Sequence, residues 1–93
     1  MITSFSCRET EKIARGEVSR YLPQNLQGVM QRKLRMLNAA LQIRDLLIPP
    51  NNRLEILKGK RKGQHSIRVN NQWRVCFIWT AEGPTNVEIV DYH

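Results

Sequence analysis

The hydrophobic period of the chain changes at Pro49-Pro50, and this switch limits the possible folds more than any other feature. Before it, Leu26, Met30, Leu34, Leu37 and Leu41 recur at steps of three and four, the spacing of one face of a helix that Pro23 opens. Gln27, Gln31, Arg35 and Asn38 fall on the other side. The helix must stop before the prolines, because the first disfavours helical geometry at Ile48 and neither carries an N–H. After them the apolar residues alternate: Leu54 and Ile56, then His65, Ile67 and Val69, then Trp73, Val75, Phe77 and Trp79, then Val87 and Ile89. That is the period of strands. A short strand is expected at residues 2–5, and a short helix in RETEKIARG, ended by Gly16. Helices therefore precede strands, which predicts an α+β domain whose antiparallel sheet is packed on one face by N-terminal helices.

The expected hairpin turns are KGKRKG at 58–63, NNQ at 70–72 and TAEGPT at 80–85, each rich in residues that tolerate turn geometry. Ninety-three residues suit one domain over 1–93, with little chain left for a deep pocket. Fifteen Lys and Arg against eight Asp and Glu give a net charge of +7. Such a field attracts polyanions and makes nucleic acid the leading partner class. Seven of the basic residues, Arg53, Lys58, Lys60, Arg61, Lys62, Arg68 and Arg74, lie in one window with a single acid, Glu55. Cys7 and Cys76 are far apart and have no histidine at ligand spacing, so both read as free thiols and no metal or cofactor is expected. There is no secretory leader pattern and no apolar run long enough to span a bilayer, so a cytoplasmic location without membrane contact is expected.

Register decides which side chains share a face. The NNQ turn sets Val69 opposite Trp73, Ile67 opposite Val75 and Arg68 opposite Arg74. For the next hairpin one even register sets Trp79 opposite Val87, Phe77 opposite Ile89 and Arg74 opposite Tyr92. The product is a row, Arg68–Arg74–Tyr92, on the face turned away from the helices. Like charges directly opposite destabilise a sheet unless an anion lies between them or the arginine stems simply solvate the face. His65 falls on the core side and reads as a satisfied structural histidine.

Patterns for nucleotide hydrolysis, zinc hydrolysis and acyl transfer are absent. What remains is a basic face bordered by Glu55, Asp91, Tyr92 and His93, and RNA cleavage needs little more. RNA supplies its own nucleophile in the 2′-OH; the protein must align it, take its proton, stabilise the phosphorane and protonate the leaving oxygen. Arg53, Lys60, Arg61, Lys62 and Arg68 are suited to phosphate contacts that position RNA. The alternatives are a frayed terminus at His93, a surface charge at Glu55 and a solvated turn at 58–63.

The stretch RLEILKGKRKGQHSIRVNNQWRVCFIW, followed by VEIVDYH, resembles the HigB-like branch of the RelE toxin superfamily, the plasmid-maintenance killer toxins of type II toxin–antitoxin systems. The likeness is close over residues 49–93. It implies a microbial-RNase-like α+β domain that enters the ribosomal A site and cuts mRNA through the 2′-OH, without metal or cofactor. It also implies a cognate helix-turn-helix antitoxin (HigA-like), with operator DNA bound only through the antitoxin complex. By this resemblance Lys58 of LKG and Arg74 of QWR match residues that stabilise phosphate and transition state. Tyr92 matches a tyrosine that positions substrate or transfers a proton, with Asp91 and His93 as its active-site neighbours. Glu55 stands where a relative has histidine, so that histidine's role does not transfer, and either Glu55 or the terminal cluster takes the duty of base. A non-catalytic basic RNA- or DNA-binding module is the alternative function, and an assembly subunit whose sheet docks a protein is a third.

Overall fold

The computed structural model describes residues 1–92. Two helices form, α1 (Arg8–Ala14) and α2 (Gln27–Ala39), followed by four strands, β1 (Glu55–Ile56), β2 (His65–Arg68), β3 (Trp73–Thr80) and β4 (Gly83–Asp91). The strands make an antiparallel sheet in the order β1-β2-β3-β4. α2 packs on β3 and β4, and α1 on α2 and β4. Met30, Leu34 and Leu37 of α2 interlock with Ile67, Val75, Phe77 and Val87 of the sheet, all buried together with Ile13 and Leu46. Each such side chain contributes about 1.5–3 kcal/mol on burial. The expected α+β arrangement, with helices on one face, is the one observed.

Two apolar residues leave the expected pattern. Leu41 is 87% exposed, because α2 ends at Ala39 and the chain turns away. Asp45 causes the turn: one carboxylate oxygen accepts the N–H groups of Leu41 and Gln42, both at 3.0 Å, and these bonds hold its pKa below the ordinary carboxylate value. A 3-10 turn, Ile43–Leu47, follows. Ile56 is 70% exposed because β1 is the sheet edge farthest from α2, so the next residue, Leu57, is buried in its place.

The opposite edge is covered. Residues 3–6 run beside β4, with Thr3 and Ser6 donating to the carbonyls of Pro84 and Val87, and Val87 donating to Ser4. The strand expected at 2–5 is thus a single parallel bridge, Phe5 with Val87. The buried Thr10 hydroxyl accepts the N–H of Ile89 at 2.9 Å, so α1 caps the rest of the edge.

Lys33, on the buried side of α2, donates from Nζ to Asn52 Oδ1 at 2.6 Å, and Asn52 donates back to the carbonyl of Leu46 at 3.1 Å. Burial, with the nearby charges of Arg32 and Arg68, pushes the lysine pKa down. Replacing Asn52 with Ala leaves an ammonium without its acceptor, and the expected loss is about 2–3 kcal/mol, read as a lower midpoint in thermal or urea unfolding. His65 does lie on the core side, stacked on Phe77 with ring centroids 6.1 Å apart. It is not satisfied, however: Nδ1 is buried and has no hydrogen-bond partner among the described residues. Burial lowers its pKa from 6.5, so below 6.5 the unfolded chain binds a proton that the folded chain refuses. Stability is therefore full above that pH and falls as pH drops toward the folded pKa. His65→Phe should flatten the decline in melting temperature between about pH 7 and 5, leaving the losses from Glu9 and Asp45 that begin at lower pH.

Candidate active site

The open face of the sheet is set by register. β2 and β3 pair as expected, Ile67 with Val75 and Arg68 with Arg74. β3 and β4 pair two residues away from the expected register: Trp73 faces Asp91, Arg74 faces Val90 and Val75 faces Ile89. A bulge between Cys76 and Ile78 then shifts the pairing by one, so Trp79 meets Pro84 rather than Val87. The row Arg68–Arg74–Tyr92 therefore does not exist. The turn at 80–83 is too tight for that register: Thr80 pairs with Gly83, which at φ 125 lies against Met1, where a Cβ would strike the carbonyl.

The row that does cross all four strands is Glu55, Ser66, Cys76 and Glu88. Arg74 lies over it and is only 9% exposed. Its Nε donates to Ser66 Oγ at 2.6 Å, and its Nη2 donates to the carbonyls of Arg53 at 2.6 Å and Ser66 at 3.3 Å. Glu55 Oε1 is 3.6 Å from Nε. Arg68 turns away and donates from Nη2 to Asn71 of the turn, which separates the two like charges. Arg53 adopts the left-handed conformation at φ 45 and ψ 54, at a cost of about 1–2 kcal/mol for a residue with a side chain. The bend aims its carbonyl at Arg74.

On the other flank Arg61 reaches down from the 58–63 loop and donates to Gln64 at 3.1 Å and to Glu88 at 3.0 Å. Glu88 raises its pKa, and Tyr92 is near enough to act on it too. Tyr92 does not face Arg74, which pairs with Val90; its backbone N–H is bonded to the carbonyl of Gln72 and its side chain is exposed. Asp91 accepts from Gln72 Nε2 at 3.0 Å. Lys58, Lys60 and Lys62 are exposed, and no ion pair engages them among the described residues. His93, expected in the site, lies outside the described residues.

The expected residues are therefore brought together in part. Glu55, Arg74 and the carbonyl of Arg53 form one cluster, Arg61 and Glu88 another, with Cys76 between the two, and the register sets Tyr92 opposite neither Arg74 nor Glu55. Ser66, Cys76 and Glu88 were missed by sequence, although extending the Arg68–Arg74 register by two residues places Ser66 beside Cys76. Among the described residues no group of three His, Cys, Asp or Glu could hold a metal ion.

A family model for the HigB toxin, a RelE-like toxin of type II toxin–antitoxin systems, matches residues 11–93. The chain belongs to the HigB-like toxins. Among similar proteins, Toxin HigB-1 of Vibrio cholerae is 48% identical over 60 residues, covering 64% of this chain and 63% of that protein. An uncharacterised protein of Haemophilus influenzae is 44% identical over 67 residues, 72% of this chain and 64% of its own length. The match thus spans a little under two thirds of each relative. The whole open face, from Arg53 to Tyr92, falls within the stretch matched to the HigB-like family. No helix among the described residues is long and apolar enough to cross a membrane.

Cys76 is fully buried in this HigB-like face, and burial raises its thiol pKa. It should resist alkylation in the native protein while the half-buried Cys7 reacts first, with Cys76 labelled only on unfolding; mass spectrometry of timed iodoacetamide reactions checks the order.

Proposed function

We propose that the chain is a ribosome-dependent mRNA endoribonuclease that inhibits translation by cutting mRNA in the ribosomal A site through 2′-OH attack, without metal, and that a helix-turn-helix antitoxin holds it inactive. The observation that carries this reading is Arg74, a guanidinium fixed on the open sheet face beside the half-exposed carboxylate of Glu55. A phosphorane gains negative charge as it forms, and a cation already oriented at that place stabilises it without reorganising. Lys58, with Lys60, Lys62 and Arg53, supplies phosphate contacts along the RNA, while Arg61 and Arg68 border the track. Glu55, a carboxylate able to accept the 2′-OH proton, is the base in this arrangement. Protonation of the leaving oxygen falls to Asp91, Tyr92 or His93.

Induced expression of the wild-type chain should arrest growth and leave discrete cuts in mRNA on translating ribosomes. Arg74→Ala should slow cleavage by about a hundredfold or more, since loss of one preorganised charge donor costs that much in comparable sites. Deleting Tyr92 and His93 should also relieve arrest. Toxicity that survives both changes in folded protein removes this site; harmless induction with ribosome binding but no cuts supports the RNA-binding module.

A further inference from the structure

Arg74 is held on one edge only. A guanidinium offers five N–H donors in a rigid fork. Here Nε and Nη2, which share an edge, are taken by Ser66 Oγ, the Ser66 carbonyl and the Arg53 carbonyl. Among the described residues no acceptor takes Nη1. Ser66 itself is fully buried on β2, between Glu55 of β1 and Cys76 of β3 in the cross-strand row. A hydroxyl at this position has no apolar gain to explain it, and its shortest contact is the one to Arg74 Nε.

We propose that Ser66 is a positioning residue for cleavage: its hydroxyl, together with the carbonyl that Arg53 presents from left-handed backbone, locks the Nε–Nη2 edge and turns the Nη1 end toward the scissile phosphate. The inference rests on the ribonuclease reading for its substrate and on the geometry alone for the clamp. Without Ser66 Oγ, the Nε–H loses its acceptor at 2.6 Å, and the Glu55 carboxylate, 3.6 Å away and 47% exposed, is too distant and too open to water to shield it. The guanidinium would then be held by its Nη2 contacts alone, free to swing Nη1 away from the phosphate.

Three variants of the full chain separate the possibilities. Ser66→Ala removes the hydroxyl, Ser66→Cys keeps most of the volume with a poor acceptor, and Ser66→Thr keeps the hydroxyl. The Arg74 Nε–H resonance, assigned by its loss in Arg74→Lys, should be protected from exchange in the wild type and in Ser66→Thr, and lost to exchange in the other two. Single-turnover mRNA cleavage on programmed ribosomes should fall about ten- to a hundredfold in Ser66→Ala and Ser66→Cys, the size of effect expected from misplacing a reacting group. The ribosome concentration at half-maximal rate should stay unchanged, and Ser66→Thr should recover most of the rate. In an Arg74→Lys background, Ser66→Ala should add little. A protected Nε–H in Ser66→Ala overturns the clamp. An equal loss of rate in both backgrounds overturns the positioning role, because the effect would then not pass through Arg74. A wild type that never cuts mRNA, yet shows the expected resonances, overturns the ribonuclease reading and leaves the clamp standing.

Discussion

The hydrogen bond from Lys33 to Asn52 fastens the two layers of the molecule together at the place where the chain passes from helices to strands. Asn52 accepts from α2 on one side and donates to the Leu46 carbonyl on the other, so the connecting segment has little freedom to drift. The next residue, Arg53, adopts left-handed backbone, and its carbonyl reaches Arg74. A polar contact in the core thus determines, through one peptide unit, where a charge sits on the opposite side of the sheet. Replacing that pair by apolar residues could retain the packing, but nothing apolar could fix the carbonyl's direction.

The open face is also less uniformly cationic than its composition. Of the basic residues in the window from 53 to 74, Arg74 and Arg61 are matched by Glu55 and Glu88, and Arg68 is drawn to the turn. The unmatched charge is concentrated in the lysines of the 58–63 loop. Arginines held by acceptors at the centre, and exposed ammonium groups at the margin, divide the labour between orientation and attraction. Coulomb attraction in water acts over about a Debye length and needs no exact geometry, whereas stabilising a transition state needs a fixed donor.

The sequence made the larger divisions legible and lost the finer ones for identifiable reasons. The change of period at Pro49-Pro50 placed helices before strands, and the NNQ turn fixed the Arg68–Arg74 pair, because a short turn leaves few registers. The following hairpin was misread by two residues, since parity alone cannot distinguish even registers and nothing in the pattern announces a bulge at Cys76 to Ile78. The shift takes Tyr92 out of line with Arg74, which faces Val90 instead. Ser66 escaped notice because a lone serine in a strand carries no chemical signature until its partner is known. Glu88 carries no signal in the sequence for the same reason.

The strip formed by residues 3–6 joins the beginning of this chain to β4, and it does so across a sequence separation of about eighty residues. Thr10 makes the same long connection from α1 to Ile89. The loop they close spans about eighty residues, so the chain entropy lost in making them is large. Without β4, α1 would lack its seat on the sheet and Arg61 would have no Glu88 to draw it down. The open face is therefore a property of the finished sheet rather than of any one hairpin: the fold ties assembly of its charged surface to the last strand in the chain.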